Sequence, residues 1–65
     1  MTLNALNVGS SAIIKSVALE RLVSMGFVVG AQVTVLRQKR GCLHVRVGLT
    51  EWAIRKSTAE AVELK

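Results

Sequence analysis

Cys42 and His44 are the chain's one cysteine and one histidine. They stand two apart, a spacing that puts both side chains on one face of an extended strand. They are the only good soft metal ligands in the sequence. Structural zinc sites need four protein ligands and catalytic ones three. Two would hold a metal weakly unless a second chain supplied more, so the plainer reading is a small residue at a turn beside a solvated strand histidine. Acid–base chemistry fares no better. Aspartate is absent, and the four glutamates (Glu20, Glu51, Glu60, Glu63) are scattered, whereas a catalytic pair needs two groups held in one pocket with separated pKa values. No Gly-Lys-Ser/Thr loop for phosphates is present. No catalytic residue, metal site or cofactor is expected.

What remains is charge. Nine Lys and Arg against four Glu give a net charge of +5, which favours an acidic partner: nucleic acid, an anionic membrane surface or an acidic protein face. Arg37, Lys39, Arg40, Arg46, Arg55 and Lys56 all lie on or beside strand-like segments. Read plainly, they form a solvated face that keeps an apolar domain soluble. Read more sharply, they steer the chain toward an acidic surface, at a rate that falls as salt rises. Nucleic acid is disfavoured, because Phe27 and Trp52 are the only aromatics and single-strand binders stack bases on several. Trp52 alternates with Ile54 and is expected in the core.

The elements that must position these residues have little chain to work with. In 65 residues there is room for one domain, spanning 1–65, which buries only about 60% of its unfolded surface. One cysteine allows no internal disulfide, so stability must come from an apolar core, a partner or both. The hydrophobic fraction is 51% and the mean hydropathy +0.44, enough to leave apolar surface exposed for interaction. No run approaches the roughly 18 apolar residues of a membrane span, and the first residues lack a signal-peptide pattern. A free cysteine suits a reducing compartment. A cytoplasmic location without direct membrane insertion is expected.

Proline is absent, so glycine provides most of the punctuation. Ala12 to Val17 reads as a first strand after a turn at Gly9-Ser10-Ser11. Leu19 to Met25 reads as a short helix, with Leu19, Leu22 and Val23 on one face and Gly26 at its C-terminal cap. After a turn at Gly30-Ala31, Gln32 to Lys39 reads as a strand. Leu43 to Val47 is its hairpin partner across Lys39-Arg40-Gly41-Cys42, with Leu43, Val45 and Val47 inward and His44 and Arg46 outward. Glu51 to Arg55 is a further strand. Ser57-x-x-Glu60 has the spacing of a capping box and predicts one helical turn. Ala61 to Leu64 completes the sheet. Five short strands with turns every eight to twelve residues predict a small closed barrel.

Arg21-Leu22, Met25-Gly26-Phe27, Gly30, Val33 and Val35 together resemble the Arg-Leu-x-x-Met-Gly-Leu-x-Pro-Gly-x-x-Val-x-Val signature of the FeoA family. Gly48, Ile54-Arg55, Ala59 and Val62 to Leu64 are similar to that family's ending. Leu3, Leu6, Gly9, Ala12 and Ile14 match its opening. The likeness covers nearly the whole chain. Three departures stand out: Val29 replaces a proline, the link between first strand and helix is short, and the 39–42 hairpin lacks a longer loop. The resemblance implies a mainly β fold: a small SH3-like five-stranded barrel with one short α-helix and a C-terminal helical turn. It also implies an accessory role in ferrous iron uptake beside the GTPase-coupled membrane permease FeoB, with the chain peripheral at the inner membrane through that partner. Related domains end metal-dependent repressors, so the fold alone does not fix the function.

Partner contacts are expected from Arg21, Leu22 and Met25 on the helix and from Arg37, Arg40 and Arg46 on the hairpin. Self-association is a further option for the apolar surface. The competing function is a basic nucleic-acid-binding or metal-regulator-type SH3-like module.

Overall fold

The computed structural model describes all residues, 1–65. Five strands, β1 (Ser11–Val17), β2 (Gln32–Lys39), β3 (Cys42–Val47), β4 (Thr50–Arg55) and β5 (Val62–Leu64), form one antiparallel sheet in the order β4-β3-β2-β1-β5. The helix α1 (Glu20–Ser24) lies between β1 and β2, and the single turn α2 (Lys56–Ala59) between β4 and β5. A 3-10 turn at Leu3–Ala5 precedes β1. The strands fall where alternation and glycine spacing place them, within one residue at each end.

Alternation also sets the core. Leu43, Val45 and Val47 of β3 are buried, as are Val33 and Val35 of β2. They meet Ile14, Ile54, Val62 and Leu64 from the other strands and Phe27 from the loop after α1. No polar side chain is buried. Leu3 and Leu6 join this core, although nothing in their spacing announces an element. The N-terminal segment is held because Leu64 donates its N–H to the Met1 carbonyl at 2.7 Å and Thr2 bridges to Glu63.

The ladder is not closed. β4 and β5 are its two ends, against the expectation of a sealed barrel. The turn α2 carries the chain away from β4 and delivers β5 to β1 instead. The expected helical turn is present, but the capping box is not. Arg55 is the N-cap, no side chain caps the turn, and Ser57 lies inside it. A backbone acceptor replaces the cap: the Lys56 N–H donates to the Gly41 carbonyl at 2.7 Å, satisfying one of the orphan donors of a helix start.

The helix α1 is shorter than its sequence pattern, and only Leu22 on it is buried. Leu19 and Val23, expected on the packed face, are exposed at 36% and 43%. The reason lies in how the helix stops. Gly26 has φ +104°, its N–H donates to the Val23 carbonyl, and the Phe27 N–H donates to that of Leu22, both at 3.0 Å. This is a Schellman ending, which brings the residue after the glycine against the last helical turn. Phe27 therefore packs into the core beside Leu22, the place that a longer helix would have given Val23.

The turn at 28–31 shows what the missing proline costs. Ala31 donates its N–H to the Val28 carbonyl at 3.0 Å, and Gly30 has φ +90°. That is a type II arrangement, in which proline is favoured at the second position, here Val29. Val29 is 66% exposed, and its N–H makes none of the loop hydrogen bonds. Val29→Pro is expected to stabilise the fold by about 0.4–1 kcal/mol through the unfolded chain. A thermal melt several degrees higher would show it.

Candidate functional site

A groove of about 530 Å³ opens beside the free edge of β4. Arg21, Leu22 and Met25 of the α1 segment form one wall, Ala53, Ile54 and Arg55 of β4 the other, and Ser57 and Thr58 of α2 close one end. Its apolar part comes from Leu22, Met25, Ala53 and Ile54. Leu22 and Ile54 are buried at 1% and 6% exposure, so they serve the core and the groove floor at once.

Trp52 fixes the two walls together. It faces inward opposite Val45, and its indole N–H donates to the Met25 carbonyl at 3.0 Å. That bond satisfies a carbonyl at the end of α1 and sets the spacing between α1 and β4. Trp52→Phe removes the donor and keeps most of the ring. We expect a folded barrel weakened by about 1–2 kcal/mol, read as a lower urea midpoint with an unchanged slope.

The electrostatics of the groove are one-sided. Arg21 and Arg55 line it, and no acidic residue does. The chain has two ion pairs, Met1 with Glu63 and Arg46 with Glu51, both at 3.2 Å. Arg21 and Arg55 therefore have no counter-charge of their own. Next to the groove, β3 and β4 carry the outer face of the sheet. Cys42 sits between Lys39 and Arg55, His44 between Arg37 and Ala53, and Arg46 between Thr34 and Glu51. Three cations thus flank Cys42 and His44, an unfavourable setting for a bound metal cation. No group of three or more His, Cys, Asp or Glu side chains could hold one.

The six residues expected to contact a partner divide into two sets. Arg21, Leu22 and Met25 meet in the groove. Arg37, Arg40 and Arg46 lie outside it, on the β2–β3 hairpin. Arg40 is at the hairpin tip with φ +38°, in the two-residue turn between paired Lys39 and Cys42. Arg46 is already engaged by Glu51, a surface pair of the sort worth about 0–1 kcal/mol. Ala53, Ile54, Ser57 and Thr58 were not expected in a site, and Arg55 was expected only on the charged face. Nothing in their spacing relates them to α1, because the sheet order brings the two together.

No helix is long and apolar enough to cross a membrane.

Comparison with known proteins points one way. The model of the FeoA domain matches residues 1–65. Among solved structures, FeoA of Stenotrophomonas maltophilia superposes with a TM-score of 0.92 at 33% identity, covering 100% of this chain and 89% of that one. That protein was solved with zinc and is described as an SH3 domain protein and a proposed activating factor for ferrous iron transport. An iron uptake regulatory protein, also FeoA, superposes at 0.89 with 31% identity, covering 100% and 93%. A manganese-dependent transcriptional repressor at 17% identity and a TM-score of 0.81, covering 95% of this chain and 39% of that one, shares the fold alone. No curated protein sequence matches the chain. The whole-length domain match and the shared SH3-like barrel give one conclusion: the chain belongs to the FeoA family, which is associated with ferrous iron transport.

Proposed function

We propose that this chain is a non-enzymatic accessory of ferrous iron uptake, a single domain that docks in the cytoplasm onto the GTPase-coupled permease FeoB. The observation that carries the reading is the FeoA domain match over residues 1–65. The side chains agree with it. They offer no nucleophile–base pair and no metal cluster, but they do offer a groove of mixed apolar and cationic character. Arg21, Leu22 and Met25 are the groove contacts. Arg37, Arg40 and Arg46 steer the approach toward an acidic protein face, with Arg46 contributing least because Glu51 neutralises it.

Ferrous iron uptake by cells lacking this chain tests the reading. Uptake is expected to fall and to be restored by the wild-type chain. Undiminished uptake would count against it. The basic sheet face also supports a second reading, nucleic-acid binding. Gel-shift titration across salt decides between them, since micromolar, salt-steep binding to DNA or RNA would favour the second.

A further inference from the structure

The edge of β4 has hydrogen-bonding capacity that the fold does not use. β3 and β4 are joined by the two residues Gly48-Leu49, with Val47 paired to Thr50. A two-residue hairpin closes on a hydrogen-bonded pair, and such pairs then alternate along an antiparallel ladder. Thr50, Trp52 and Ile54 therefore spend their peptide groups on β3. Glu51 and Ala53 turn theirs outward, to the side where no strand follows. The Arg55 N–H turns outward too, while the Arg55 carbonyl, at the N-cap of α2, takes the first hydrogen bond of that turn. None of the turn, loop or cap hydrogen bonds uses the N–H or C=O of Glu51 and Ala53, or the N–H of Arg55.

Natural sheets blunt such edges with charge, bulges or a covering element. Here the register is regular from Val47–Thr50 to Cys42–Arg55, without a bulge. No strand of the chain pairs along the open side. That side faces the groove, which Ala53 and Arg55 line from β4 and Arg21, Leu22 and Met25 from α1.

We infer that the groove accepts an extended, acidic segment of a partner protein as a sixth strand on β4. The mode is that of strand addition, in which main-chain hydrogen bonds give affinity and alternate side chains give specificity. The guest's peptide groups pair with the N–H and C=O of Ala53 and with the N–H of Arg55. Its alternate apolar side chains rest on Leu22, Met25 and Ile54, and its carboxylates meet Arg21 and Arg55, which have no partner within the chain. Charge complementarity selects an acidic guest over a neutral or basic one. The inference rests on the docking reading above and gives its mode and the chemistry of its partner.

The test is a titration of the chain with an acetylated, amidated hexapeptide of sequence Glu-Val-Glu-Leu-Glu-Val, read by NMR amide exchange. At saturation the Ala53 and Arg55 amides are expected to exchange at least tenfold more slowly. A peptide with Lys in place of Glu, or one N-methylated at alternate residues, is expected to bind at least tenfold more weakly. Ala53→Pro is the discriminating variant. Proline is tolerated on an edge strand where the N–H faces solvent, so the barrel stays folded by circular dichroism while peptide affinity falls at least tenfold. Arg55→Glu is expected to do the same without altering the backbone.

Unslowed Ala53 and Arg55 amides at saturation, an N-methylated peptide that binds equally well, or no binding at millimolar peptide would overturn strand addition. Slowing of the same amides with rising protein concentration and no peptide would overturn it too, by assigning the edge to a second copy of the chain. Capture of the permease separates this inference from its parent. Undiminished capture by Ala53→Pro would defeat the strand and leave docking intact. Failure of the wild-type chain to capture any permease would defeat docking itself, whatever the peptide does.

Discussion

Leu22→Gln is expected to leave the chain largely unfolded and therefore inactive. Leu22 is 1% exposed and belongs to the core cluster. Its carbonyl accepts the Phe27 N–H that ends α1. Losing a buried leucine costs about 2–5 kcal/mol. Burying an unpaired amide in its place adds about 1–3 kcal/mol. A domain of this length has on the order of 3–10 kcal/mol in total, at about 0.05–0.15 kcal/mol per residue. Circular dichroism reads the outcome, and loss of the β signal at 25 °C is the expected one. A variant that is folded but fails to bind would place Leu22 primarily in the interface. Leu22→Met is the control, because a volume-conserving swap costs under about 1.5 kcal/mol and should preserve both fold and docking.

Arg21→Glu combined with Arg55→Glu should have the opposite profile. Both side chains are exposed and neither forms an ion pair, so the barrel should melt within a few degrees of wild type. Binding to an acidic partner should fall on the order of 100-fold, taking about 1.4 kcal/mol, or tenfold, for each reversal. The salt dependence of binding should flatten as well, since screening acts on the attraction that the reversals remove. Calorimetry at two ionic strengths measures both effects. The same reversal at Arg46 should do less, because Arg46 lies outside the groove and its charge is already engaged by Glu51.

These two variants separate what the residues alone reveal from what needs the fold. The strands were legible because a half-buried sheet forces period-two alternation, as in Leu43, Val45 and Val47 against His44 and Arg46. The end of α1 was legible because Gly26 supplies a backbone conformation that other residues resist. The true packing of α1 was not. Leu19 and Val23 share the helical spacing of Leu22, yet the Schellman turn gives their place to Phe27. The capping-box pattern at Ser57 and Glu60 misled for a similar reason, since the Gly41 carbonyl, distant in sequence, caps Lys56. Leu3 and Leu6 are core residues, the 3-10 turn that carries Leu3 being held by β5 and α2, which local spacing does not announce.

The groove shows the same division. Arg21, Leu22 and Met25 could be picked from one short segment that resembles a family signature. Ala53, Arg55 and Thr58 could not, because only the sheet order β4-β3-β2-β1-β5 and the Trp52–Met25 hydrogen bond set β4 against α1. An unclosed ladder is likewise a tertiary fact. Alternation gives five strands, but the path of α2 decides which of them ends the sheet.

Docking is most directly tested by capture from detergent-solubilised membranes on the immobilised chain, with and without guanine nucleotide. The wild-type chain is expected to retain the GTPase-coupled ferrous iron permease. The folded Arg21→Glu/Arg55→Glu variant is expected to lose it, with capture falling as salt rises. Equal capture by wild type and variant at every salt concentration, or no capture of the permease by the wild-type chain, would overturn docking through this groove.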